Sequence, residues 1–200
     1  MCRCLLKAGF ELTVWNRSFK KAEALRVEGA TAASTPDEAV SGADVIITML
    51  SDGAAVEEVM FGKGAAKAIV KGATRIDMSS IGADEAMAHA EQHKASGVEY
   101  LDAPVSGGTK GAATGELAIM VGGGLEIFTT MSPVFNAMGH ATHVGPNGCG
   151  QLSKLDFSLY CFDHLCICSV FDAFNAIRST LQRIVVDFNR ITVVCRHSTR

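Results

Sequence analysis

Along the first hundred residues, a short apolar and β-branched run gives way repeatedly to a longer run of helical character that stops at a glycine or a polar turn. Glu11-Leu12-Thr13-Val14-Trp15-Asn16 precedes a charged helical run from Ser18 to Glu28, which ends at Gly29. A strand from Asp44 to Met49 precedes a helix from about Asp52, and a strand from Thr74 to Asp77 precedes a helix from Ala83 to Ser96 that ends at Gly97. A further strand runs from Glu99 to Ala103. Strands alternating with helices bury both faces of a sheet, and this predicts an α/β fold with a doubly wound, mostly parallel sheet. Ala118-Ile119-Met120-Val121, a helix from Leu125 to Met138, and Thr142-His143-Val144 extend the same architecture.

The pattern breaks near residue 150. All 20 glycines lie at or before Gly150, whereas half of the 10 phenylalanines follow it. Such a shift predicts a boundary, with a domain over residues 1–147 and a helical tail over 148–200. In the tail, Phe162, Cys166, Val170, Phe174, Ile177, Leu181, Ile184 and Phe188 recur at three- or four-residue spacing. That is the stripe of one long amphipathic helix, which needs a partner surface and offers a route to homo-oligomers.

Composition narrows the partners. A 48% hydrophobic, 20% charged chain of net charge −3 has no basic excess for nucleic acid. It has no apolar run of membrane-spanning length, and Met1 to Gly9 is too short and too charged for a signal peptide. A cytoplasmic or organelle-lumen protein acting on a small molecule is expected. The 7 cysteines are too unevenly spaced for a disulfide framework, so reduced thiols are expected. Cys166 and Cys168 lie near His164 but lack a second ligand pair, so no metal is expected.

The stretch with the most chemistry is Tyr100-Leu101-Asp102-Ala103-Pro104-Val105-Ser106-Gly107-Gly108, where an apolar strand runs into small residues. The carboxyl ends of strands in an open α/β sheet face the ligand crevice, and glycines there let backbone N–H groups approach an anion. A glycine turn without a ligand is the other reading. At the end of the first strand Arg17 stands where a fold preferring NAD carries an acid, and an arginine accommodates the 2′-phosphate of NADP. The other reading is a solvated arginine at a helix start. Ser18 caps that helix or reaches the phosphate.

These residues, with Ile47-Thr48-Met49-Leu50-Ser51, Ile76-Asp77-Met78-Ser79-Ser80, Ile119-Met120-Val121-Gly122-Gly123 and Gly148-Cys149-Gly150-Gln151-Leu152-Ser153-Lys154-Leu155, stand in the order of a known family. Over roughly residues 1–155 the chain resembles the β-hydroxyacid dehydrogenases, which include 3-hydroxyisobutyrate dehydrogenase, tartronate semialdehyde reductase and glyoxylate/succinic semialdehyde reductase. That family shares its NADP-binding Rossmann domain with 6-phosphogluconate dehydrogenase. The resemblance implies that Asn16, Arg17 and Ser18 hold the adenosine phosphate of NADP, and that Met49 and Leu50 line the cofactor crevice. It implies that Ser80 lies on the nicotinamide side, that Ser106, Gly107 and Gly108 clamp the carboxylate of a small substrate, and that Lys154 is the catalytic lysine. A lysine in a partly desolvated crevice can protonate a carbonyl oxygen as hydride reaches its carbon.

Three departures qualify the resemblance. The family begins with a strand and a G-x-G-x-x-G turn, whereas Met1 to Gly9 already resembles the end of the helix after that turn. Gly62-Lys63-Gly64-Ala65-Ala66-Lys67 comes nearest to the fingerprint but lacks its last glycine and its setting. Ser158 stands where the family has an asparagine, and nothing after Leu155 resembles the family's helical C-terminal domain. The expected sheet therefore lacks its first strand, with that position empty or open to solvent. Two readings follow: an NADP-dependent oxidoreductase, or a catalytically inactive Rossmann-like fragment that binds NADP weakly.

Overall fold

The computed structural model describes residues 1–160 and 190–195. Helix α1 (Cys2–Lys7) leads into β1 (Glu11–Asn16), α2 (Phe19–Glu23), β2 (Thr31–Ala32) and α3 (Pro36–Val40). Next come β3 (Val45–Met49), α4 (Gly53–Glu57), α5 (Ala65–Ala68) and β4 (Thr74–Asp77). They are followed by α6 (Ala83–Ala95), β5 (Glu99–Asp102), β6 (Val105–Ser106) and α7 (Gly108–Thr114). The remainder is β7 (Leu117–Gly122), α8 (Leu125–Thr130), α9 (Ser132–Met138), β8 (Gly139–Gly145), α10 (Cys149–Tyr160) and β9 (Arg190–Cys195).

Local chemistry sets several boundaries. Thr35 caps α3 by accepting the Glu38 N–H, and Asp52 caps α4 by accepting the Ala55 N–H. The helix expected over Ser18–Glu28 is shorter: α2 gives way to a 3₁₀ turn at Arg26–Glu28, closed by Gly29 at φ 102°. The helix expected over Leu125–Met138 is two helices. Pro133, at the start of α9, has no N–H with which to continue the ladder of α8.

The strands pair in the order β2-β1-β9-β3-β4-β5-β7-β6, with β8 beside β7. From β2 to β5 every pairing is parallel, whereas β7 runs antiparallel to β5 and β6. Side chains alternate between two cores. Val14, Val45, Ile47, Ile76, Leu101, Ile191 and Val193 pack on one face with Leu5, Phe135 and Met138. Trp15, Ile46 and Val194 pack on the other with Val40, Val56, Val59 and Met60.

One expectation needs correction. The first-strand position between β1 and β3 is not empty, because β9 fills it, pairing with β1 from Glu11↔Arg190 to Asn16↔Cys195 and with β3 from Val45↔Ile191 to Met49↔Cys195. Ile191-Thr192-Val193-Val194 is β-branched throughout and fully buried, which suits a strand covered on both faces. Thr192 Oγ1, otherwise a stray donor in the core, donates to the Ala39 carbonyl. With β9 in that place, the order from β2 to β5 is the 3-2-1-4-5-6 of a dinucleotide-binding sheet. The amphipathic helix expected over Phe162–Phe188 lies outside the described residues. Among the described residues, no helix is long and apolar enough to cross a membrane.

Beneath the sheet, between β4, β5 and α6, lies a buried polar cluster. Arg75 and Asp77, both fully buried, pair at 2.7 Å, and Arg75 Nη1 is 2.9 Å from His93 Nε2. The guanidinium also lies over the Tyr100 ring, which stacks on His93. Burial first, then the charge of Arg75 and neighbouring His89, push the His93 imidazole down to about 3. His93 is therefore neutral and accepts from Arg75.

Two predictions follow from this packing. Val193, with no exposed surface, puts its side chain into the core from the central strand, whereas Val27 is 90% exposed. Val193→Asp is expected to cost more than about 3 kcal/mol in denaturant unfolding, and Val27→Asp no more than about 0.5 kcal/mol. Equal midpoints for the two variants would contradict the placement of β9. For His93, the folded pKa of about 3 lies below the ordinary 6.5. Its contribution is complete above pH 6.5 and is lost as pH falls toward 3. His93→Gln keeps an acceptor for Arg75 and should flatten the acid limb of the stability curve by about 1.4 kcal/mol per pH unit. Superimposable acid limbs would refute this.

Candidate active site

The candidate site is built along the carboxyl edge of the sheet. The register aligns Asn16, Cys195 and Met49 at the ends of β1, β9 and β3, and pairs Thr48 with Asp77 and Asp77 with Asp102. At one end, Asn16 Oδ1 accepts the Ser18 N–H at 2.9 Å, which turns the chain away from β1 and leaves Arg17 and Ser18 exposed. Ser18 makes no side-chain cap on α2. Further along the edge Met49 is half-buried and Leu50 buried. The Leu50 N–H donates to Ser79 Oγ at 3.0 Å, which joins the turn after β3 to the turn after β4, where Ser80 is exposed.

The other wall comes from β6, α7 and α10. Gly107 and Gly108 have φ of 123° and 60°, conformations that a side chain rarely tolerates, and both are exposed. The start of α10 is clamped by a residue from a distant strand: Asp102 Oδ1 accepts the Gly148 N–H at 2.8 Å, and Oδ2 accepts the Gln151 N–H at 3.1 Å. These are donors that a helix start leaves without intrahelical partners, and a carboxylate is favoured there. Burial pushes the Asp102 carboxyl up, against the opposing pull of those N–H groups. Gly150 permits this approach, since a Cβ there would lie 2.6 Å from the Asp102 carbonyl oxygen and 2.7 Å from that of Met120.

One turn into α10, Lys154 Nζ donates to the Val105 carbonyl at 2.7 Å. The lysine is half-buried, on the backbone immediately before Ser106. Lys154 and the Ser106–Gly108 segment therefore meet. Asn16, Arg17 and Ser18 lie at the opposite end of the edge, two strand positions from Met49 across β9. Asp102, Gln151 and Ser79 were not among the residues singled out for roles, although each lay inside a quoted motif. Their signals are an acid at the end of a strand, an amide one turn before the lysine, and a serine following Asp77-Met78. Among the described residues, no group of three or more His, Cys, Asp or Glu side chains is arranged to hold a metal ion.

Residues 1–146 match the NAD binding domain of 6-phosphogluconate dehydrogenase. The chain is 42% identical over 153 residues to 2-hydroxy-3-oxopropionate reductase of Escherichia coli, covering 76% of this chain and 52% of the relative. It is 40% identical over 157 residues to NAD-dependent L-serine dehydrogenase of Pseudomonas aeruginosa, covering 78% and 53%. Among solved structures, 3-hydroxyisobutyrate dehydrogenase of Mycobacterium tuberculosis with L-serine superimposes with a TM-score of 0.76 at 32% identity, covering 80% of this chain and 54% of that one. The chain spans about half the length of these relatives. It belongs to the family of the 6-phosphogluconate dehydrogenase NAD-binding domain, with enzymes of the 3-hydroxyisobutyrate dehydrogenase type as its homologues.

Proposed function

We propose that the chain is the nucleotide-binding part of an NADP-dependent β-hydroxyacid dehydrogenase, which interconverts a small 2- or 3-hydroxy acid with glyoxylate or the corresponding semialdehyde. The observation that carries this reading is the hydrogen bond from Lys154 to the Val105 carbonyl, which keeps an ammonium donor beside Ser106, Gly107 and Gly108. The edge fits a dinucleotide: it lies at the point where the strand order reverses, with apolar Met49 and Leu50 in the middle and exposed Arg17 and Ser18 at one end. Asn16, Arg17 and Ser18 would hold the adenosine phosphate, and Ser80 would face the nicotinamide side. A dinucleotide bound there would supply or accept the hydride.

The chain's own residues do the rest. Ser106 and the N–H groups of Gly107 and Gly108 hold the substrate carboxylate, which points the carbonyl toward Lys154. The ammonium donates a proton to the carbonyl oxygen in reduction, and the neutral amine takes one from the hydroxyl in oxidation.

A second reading, a catalytically inactive Rossmann-like fragment, is favoured by a different observation. The residues after β9 are Arg196-His197-Ser198-Thr199-Arg200, with no glycine to bring backbone N–H groups onto a pyrophosphate. Titration with NADPH, followed by its absorbance loss with glyoxylate or succinic semialdehyde, separates the two. Micromolar binding with turnover supports the enzyme; weak binding without turnover supports the fragment.

For cofactor choice, Arg17→Asp is expected to remove a charge-assisted phosphate contact of about 1.5–3 kcal/mol, and with it the preference for NADPH over NADH. An unchanged ratio of the two affinities would overturn the role of Arg17. For the chemistry, Ser106→Ala should mainly raise KM, while Lys154→Ala should lower kcat by about 10²-fold or more. Full activity of the Lys154 variant would remove the mechanism.

A further inference from the structure

The first turn of α10 is tied to the rest of the site at more points than a helix cap requires. Gln151 is buried, and its backbone N–H and both ends of its side-chain amide are engaged. Its backbone N–H donates to Asp102 Oδ2 at 3.1 Å, its Nε2 donates to the Ser79 carbonyl at 2.9 Å, and its Oε1 accepts the Ile81 N–H at 3.2 Å. The amide thus brackets Ser80 from both sides. Ser79 is equally occupied, because its N–H donates to Asp77 Oδ1 at 3.1 Å and its Oγ accepts the Leu50 N–H at 3.0 Å. A continuous buried path of hydrogen bonds therefore runs from Leu50 through Ser79 and Gln151 to Asp102. Lys154 follows Gln151 by three residues, on the same face of the helix.

We propose that Gln151 is a positioning residue, whose side-chain amide locks the Ser79–Ile81 turn to α10 so that Lys154 and Ser80 hold one fixed separation. The inference rests on the roles proposed for Lys154 and Ser80. Its chemistry is specific to an amide. The two groups facing the side chain are a carbonyl and an N–H, so the residue between them must both donate and accept, as a neutral amide does and a carboxylate or thioether does not. An isosteric apolar side chain would fill the space and leave the Ser79 carbonyl and the Ile81 N–H unpaired; the two turns would then part. Asp102 would still hold the first N–H groups of α10 but makes no bond to the turn after β4, so the helix would be free to pivot about that carboxylate and carry Lys154 off the Val105 carbonyl.

The test uses the full chain labelled with [ε-¹³C]lysine, with the Lys154 signal assigned through Lys154→Arg. In the wild type, a lysine held on the Val105 carbonyl is expected to show two inequivalent Cε protons. Gln151→Met should merge them, while amide-exchange protection at Ile76 and Leu101 in the adjoining strands stays at the wild-type level. Gln151→Glu should behave the same way at pH 8 and recover the inequivalence on acidification. There its buried carboxyl takes up a proton and can again donate to the Ser79 carbonyl. An unchanged Lys154 signal in both variants overturns the proposal. So does loss of protection at Ile76 and Leu101 in both, since Gln151 would then hold up the sheet rather than place the lysine. The readout needs no cofactor, so failure of the chain to bind NADPH would count against the proposed function and leave this inference standing.

Discussion

A parallel sheet wrapped by helices on both faces cannot leave a gap at its centre. If the position between β1 and β3 were vacant, two rows of backbone N–H and C=O groups would face each other across about 10 Å of apolar interior, with neither water nor protein to satisfy them. In this molecule β9 closes that gap, with six paired positions on β1 and five on β3. It also supplies side chains to both cores, Ile191 and Val193 to one and Val194 to the other. The helices and the candidate site are all arranged around a sheet that is continuous only because of this segment.

The carboxyl edge inherits its geometry from the same continuity. β9 holds β1 and β3 at fixed spacing, so Asn16 and Met49 end at the same level. From β3 onward, alignment along the edge is kept by hydrogen bonds that cross from turn to turn: Leu50 to Ser79, Ser79 to Gln151, Gln151 to Asp102. The Asp102 carboxylate is an unusual group to find fully buried, and the start of α10 explains why it is tolerated there. Two helix N–H groups that would otherwise lack partners point at it, so each satisfies the other's need. The deeper pair of Arg75 and Asp77 extends the network, because Asp77 holds the Ser79 N–H while Arg75 neutralises its charge.

What could be read from the sequence follows from how local each signal is. The strand at Glu11–Asn16 and that at Thr74–Asp77 were legible to the residue, because period-two patterning and a flanking turn sit within a single short window. β2 and β6, two residues each, have no such window and exist because a neighbouring strand offers a ladder. β9 was not legible either. Ile191-Thr192-Val193-Val194 is short and without alternation between apolar and polar residues beyond its one threonine, directly after a stretch with helical spacing, and the open edges of β1 and β3 give its β-branched residues their ladder. At the candidate site, Gly107 and Gly108 are singled out by chemistry, whereas Lys154 is singled out only through resemblance to a family. Asp102 and Gln151 lie 49 residues apart, and a hydrogen bond across that separation leaves no trace in local pattern.

The same separation in sequence shapes how such a molecule must form. The pairs that finish the sheet join β1 to β9, and Glu11 and Arg190 stand at nearly opposite ends of the chain. Contacts of such sequence separation carry the largest loop-closure cost and form late unless local structure shortens the path. Until β9 docks, β1 and β3 each present a bare parallel edge, and the apolar faces of Val14, Val45 and Ile47 lack Val193 between them. By contrast, β3, β4 and β5 are joined by α4, α5 and α6 in short βα crossovers and can pair with neighbours close in sequence. The molecule therefore divides into a part that local order can assemble and a seam that only a distant segment can close. The candidate site lies across that seam: Met49, Leu50 and Ser79 belong to the first part, Gln151 and Lys154 reach it across 49 residues, and Asn16 is brought level with Met49 only when β9 is in place.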